Sequence, residues 1–77
     1  MNNEQDEPTK VSLSGIGTTI RLERERLKLS RRAVAIASGV TETTISNVEF
    51  GKSASMDTIV RILSALGKQL YIEDEAT

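Results

Sequence analysis

The chain contains neither cysteine nor histidine, and only one proline. Without cysteine there is no disulfide framework and no thiolate metal site. Without histidine the commonest general base and the commonest neutral metal ligand are missing. No glycine-rich phosphate loop stands ahead of a strand–helix unit either. The sequence therefore offers no catalytic constellation, and no metal, cofactor or enzymatic activity is expected. No apolar run approaches the roughly 20 residues of a membrane span, and no signal peptide is visible, which points to a soluble intracellular protein. What remains is one small domain. A chain of 77 residues buries only about 60% of its unfolded surface, so modest stability and a gain from pairing with a second copy are expected.

The net charge of −1 hides an uneven distribution. Glu4, Asp6 and Glu7 precede residue 10, and Glu73, Asp74 and Glu75 follow residue 72. Removing these 6 from the 11 acids leaves 5 against all 10 bases, so residues 10–72 carry +5. A local patch of positive potential matters more for phosphate binding than the whole-chain sum. Taken alone, the same charges would serve equally well to solvate helix surfaces.

Residues 1–13 are polar and acidic and hold the proline, so they are expected to form a flexible tail. A first helix is predicted from near 14–17 to about 28, with Ile16, Ile20, Arg24 and Leu27 on one stripe. Ser30 suits the N-cap of a second helix over 31–38, with Leu29 as hydrophobic staple. Thr41 caps a third, over 42–50, which stops at Gly51. Ser55 caps a fourth, with Asp57 in its first turn, and Gly67 ends it. Its predicted stripe is Met56, Ile59, Val60, Leu63 and Leu66. Residues 14–67 thus read as one all-α domain of four to five helices around a single core.

Residues 68–77 differ. From Gln69 to Glu73 the pattern alternates with period two, placing Leu70 and Ile72 on one face, which predicts a strand. A lone strand is unstable in a helical domain. Its expected partner is the same strand of a second subunit, with Leu70, Tyr71 and Ile72 as dimer contacts. The alternative is a frayed tail whose Leu70 and Ile72 pack on the core.

The densest signal lies in residues 31–50, RRAVAIASGVTETTISNVEF. Val34, Val40, Ile45 and Val48 are placed to share one core, Ala35 leaves room for a close crossing, and Gly39 supplies the positive φ that ends the first of two helices. Glu42, Thr43, Ser46 and Asn47 are left facing outward. Two short helices joined this way form a helix-turn-helix, whose usual task is to lay its second helix in the DNA major groove.

The chain resembles the Cro/repressor, or XRE-type, helix-turn-helix family. The matching positions are Leu29, Ser30, Ala35, Ser38, Gly39, Val40, Thr44, Ile45, Ser46, Glu49, Gly51 and the 62–67 run ILSALG. The similarity covers residues 16–67, about two thirds of the chain, without a gap inside the motif. The resemblance implies a lambda-repressor-like fold and a homodimer on double-stranded DNA, in the cytoplasm and associated with the nucleoid. It places Glu42, Thr43, Ser46 and Asn47 toward base edges. Phosphate contacts are implied at Arg31, Arg32, Thr41, Thr44 and Ser55, and at the loop Gly51, Lys52 and Ser53, whose backbone amides the family uses. It also implies that Arg24 and Glu49 form a partly buried ion pair of structural value. Where family members often carry glutamine or arginine, this chain has Arg31, Glu42 and Thr43. No base preference carries over. The strand-like tail looks more like that of HipB-type antitoxin repressors, which join two subunits through a C-terminal strand and bind a HipA-type kinase toxin.

The sequence thus predicts a repressor acting as a homodimer on a palindromic operator, as the antitoxin and autoregulator of a toxin system. The alternative is a phage-type repressor or a restriction-modification controller with no toxin partner. Glu42 and Glu49, two turns apart with one facing inward, do not make a catalytic carboxylate pair.

Overall fold

The computed structural model describes residues 13–70. They form four helices: α1 (Leu13–Arg26), α2 (Arg31–Ser38), α3 (Glu42–Glu49) and α4 (Met56–Ala65). No strand occurs among the described residues. Most of the expected tail, and Tyr71 and Ile72 of the expected strand, lie outside them. Residues 68–70 have no regular secondary structure, and Leu70 packs against the core. No described helix is long and apolar enough to cross a membrane.

Three helices begin in the same way. The hydroxyls of Ser30, Thr41 and Ser55 accept hydrogen bonds from the amides of Ala33, Thr44 and Thr58, at 3.0, 3.0 and 3.1 Å. Each satisfies an amide that has no partner inside its helix. The four ends are alike too, because each is followed by a residue in the left-handed region. Three of these are Gly39, Gly51 and Gly67, and the fourth is Lys28, at φ 60°. Beyond α1, the amides of Lys28 and Leu29 fold back on the carbonyls of Glu25 and Arg24, both at 3.0 Å. That closure requires positive φ, which an L side chain adopts only at a cost.

Ile20, Val34, Ala35, Ile45, Val48, Ile59, Ile62, Leu63 and Leu66 make the core, so every helix contributes to it. α1 packs on α3, and α2 packs on both α3 and α4. Two stripes differ from expectation. Leu27 is exposed because α1 ends at Arg26 and Leu27 falls in the following turn. On α4 the buried set is centred on Ile59, Ile62, Leu63 and Leu66, while Met56 and Val60 are exposed on its flank. The buried face is rotated toward Ile62, which lies off the predicted stripe.

Gly17 lies where α1 crosses the end of α3. A Cβ there would stand 2.2 Å from the Val48 carbonyl oxygen and 3.1 Å from that of Glu49. Glycine is thus needed for α1 to lie directly against the backbone of α3.

Candidate nucleic-acid interface

The two faces of α3 have different neighbours. Ile45, Val48 and Glu49 are buried. Glu42 and Thr43 are exposed, and Ser46 and Asn47 are half-buried. Thr43 and Asn47 are one turn apart, so they share one side of the helix. The side chains of Thr43, Ser46 and Asn47 make no hydrogen bond among the described residues, leaving their donors and acceptors available to an outside partner. Glu42 reaches back toward α2, where its carboxylate lies 3.8 Å from Arg32, with both groups well exposed. The two opposite charges partly offset one another.

Behind this face lies one buried carboxylate held by two arginines. Arg24 grips Glu49 with two hydrogen bonds, Nε to Oε2 at 2.7 Å and Nη2 to Oε1 at 3.1 Å. Its Nη1 donates to the Leu29 carbonyl at 3.0 Å. Arg31, the first residue of α2, adds a bond from Nε to Oε1 of Glu49 at 3.0 Å. Burial pushes the Glu49 carboxyl up, but the hydrogen bonds and charges of Arg24 and Arg31 outweigh it and hold the group below the usual carboxylate range. The hydrogen bond to Glu49 raises Arg24 in turn. One carboxylate thereby joins α1, α2 and α3, and fixes how the third helix sits on the first two.

Arg31 therefore shares a partner that was expected to serve Arg24 alone. Its guanidinium also lies 5.8 Å from the centroid of the Phe50 ring. Neither this second attachment of Arg31 nor the place of Phe50 on the surface is legible from the motif. Helical spacing alone could have found Phe50, which stands seven residues after Thr43 on the same stripe.

The remaining phosphate candidates are placed as follows. The amides of Gly51 and Lys52 are occupied, donating to the carbonyls of Val48 and Asn47 at 3.0 and 2.8 Å. What this loop offers an anion is the Lys52 ammonium, which makes no ion pair among the described residues, together with the exposed Ser53. Thr41 shares a hydroxyl–hydroxyl bond of 2.9 Å with Thr44, and Ser55 one of 2.9 Å with Thr58. Each such pair uses one hydroxyl proton and leaves the other for an outside acceptor.

The surface thus brings a polar helix face, uncommitted at three of its four positions, into line with Arg31, Arg32 and Lys52 around it. Among the described residues no cluster of side chains could hold a metal ion. No curated protein matches the chain significantly. A family model described as helix-turn-helix matches residues 20–72, well over half of the chain. With that match and two helices disposed to present the second outward, this chain belongs to the Cro/XRE-type helix-turn-helix family of DNA-binding transcription regulators.

Proposed function

We propose that this protein is a transcriptional repressor that binds a palindromic operator as a homodimer, with α3 in the major groove of each half-site. The observation that carries this reading is the division of α3. Its core contacts are made by Ile45, Val48 and Glu49, while the side chains of Thr43, Ser46 and Asn47 are uncommitted among the described residues. Asn47 suits bidentate pairing with adenine, Thr43 a thymine methyl or an acceptor, and Glu42 a cytosine amine. Arg32, Lys52, Ser53 and the free hydroxyl protons of the two capping pairs frame that helix for phosphates. The homodimer is supported by the alternation of residues 69–73, the same segment that resembles HipB-type antitoxins. That resemblance supports a HipA-type kinase toxin as a further partner.

A footprint on DNA upstream of the protein's own gene would supply the operator. Titrations of Asn47→Ala and Lys52→Ala against operator and scrambled duplexes, at several salt concentrations, then test the assignment. Asn47→Ala should cost about 1–3 kcal/mol per half-site and relax preference at one base pair. Lys52→Ala should weaken both duplexes alike. It should also lower the slope of log K against log salt by about one for each phosphate no longer neutralised, twice that in a symmetric dimer. If the two variants exchange these behaviours, the recognition face is misassigned. A kinase that co-purifies with the protein would establish the antitoxin role, and its absence from a native pull-down would favour a stand-alone repressor.

A further inference from the structure

Phe50 is the chain's only phenylalanine, yet it is 70% exposed. Its amide closes α3 on the Ser46 carbonyl at 3.0 Å, so the backbone is fixed while the ring stands outside the core. An exposed ring adds little to folding. This one is nevertheless held in place from one side, by the Arg31 guanidinium 5.8 Å from its centroid. Arg31 is in turn anchored on a carboxylate that already has a bidentate partner, Arg24. Two arginines on one glutamate leave a surplus of one positive charge, and Arg31 is the more exposed of the two, at 37% against 11%. Its terminal nitrogens make no hydrogen bond among the described residues.

A fixed aromatic face beside a guanidinium that shares its one carboxylate with a second arginine complements one chemical unit of DNA. The deoxyribose presents an apolar C–H face and the adjoining phosphate an anion. We infer that Phe50 and Arg31 form a single composite contact for one sugar–phosphate unit, the ring covering the sugar and the guanidinium meeting the phosphate. The inference rests on the proposed reading of α3 as the recognition helix. The position of the ring agrees with that chemistry. Phe50 continues the stripe of Thr43 and Asn47 but lies about 10 Å along the axis from Thr43. Helices of this kind read bases with their N-terminal residues, so the last residue of the stripe has risen to the backbone wall of the groove.

The test uses the full chain and follows fluorescence anisotropy on the footprinted operator duplex and a scrambled duplex across a salt series. Phe50→Ala should weaken both duplexes by the same factor, about fivefold to tenfold, the scale for covering most of an aromatic face. Its salt slope should match the parent's, because no charge is removed, and Phe50→Leu should recover part of the affinity. Arg31→Met should weaken both duplexes and also lower the slope, by about one per phosphate. If Phe50→Ala binds like the parent while Lys52→Ala and Asn47→Ala do not, the composite contact is wrong and the reading of α3 stands. A loss confined to the operator would make Phe50 a base reader, and a change in sedimentation with unaltered DNA affinity would make it a protein contact. Either overturns the inference. If none of the four positions affects binding, the reading of α3 fails along with it.

Discussion

Glu49→Ala should destabilise the protein far more than the loss of one surface charge. The carboxylate has no side-chain exposure and receives three N–H donors, at 2.7 and 3.1 Å from Arg24 and at 3.0 Å from Arg31. Truncation leaves the Arg24 guanidinium, only 11% exposed, with the Leu29 carbonyl as its one acceptor. Stranding a buried charge in this way costs about 3–5 kcal/mol. Set against the about 5–10 kcal/mol expected of a domain this size, that is a large share. At about 4–8 °C per kcal/mol, the thermal midpoint should fall by about 12–40 °C. Arg31→Ala provides the internal comparison, since Glu49 keeps its bidentate partner and Arg31 is 37% exposed. Its cost should stay near 1 kcal/mol or below, about 5 °C. Replacing Arg24 and Glu49 together with Met and Leu should recover most of the loss, because the penalty comes mainly from the unpaired charge. Circular dichroism melts of these variants without DNA give the answer. An Arg31→Ala midpoint as low as that of Glu49→Ala, or a Glu49→Ala midpoint equal to the parent's, would refute this account.

Gly17→Ala should lower stability although alanine is the better helix former by about 1 kcal/mol, since the new methyl would sit 2.2 Å from the Val48 carbonyl oxygen; a higher melting point would show that α1 and α3 separate without penalty. Lys28→Gly should have the opposite effect, raising stability by about 0.5–1 kcal/mol in a urea titration by removing the strain of φ 60°. An unchanged or lower midpoint would rule out that strain. The depressed carboxyl of Glu49 makes its contribution complete above the unfolded carboxylate value, about 4.3, and progressively lost as pH falls through the lower folded value. Glu49→Gln should therefore be less stable near neutrality and lose less on acidification, and parallel curves of Tm against pH for the two proteins would contradict this.

Local signals make most of this fold legible. Ser30, Thr41 and Ser55 act on amides three residues away, and Gly39, Gly51 and Gly67 end helices through their own φ, so a linear reading reaches them. The exceptions depend on distance along the chain. Gly17 is required by backbone 31 residues further on, and Arg31 finds its carboxylate 18 residues away. Helical periodicity says which side of α2 Arg31 occupies, but not that the end of α3 passes close to it. The α4 stripe is displaced from its predicted place for a related reason. Met56, Val60 and Ile62 are all apolar, and only the packing of α2 determines which of them are covered. Positive φ at Lys28 has no sequence signal, because the usual glycine is absent there.

The division of α3 also bears on how such a protein changes. Residues 45, 48 and 49 are enclosed by other helices, whereas 42, 43, 46 and 47 are not fully buried and their substitution leaves no cavity. Recoding those four outward positions is therefore nearly free of a folding penalty, and each variant starts from the same rigid mount. On the proposed reading of α3 as the recognition helix, drift in operator preference is then open to single substitutions, without a compensating repair of the interior at every step. The same separation suits deliberate redesign: a library randomised at these four codons should yield mostly folded proteins, so that selection acts on the DNA sequence recognised and not on survival of the scaffold.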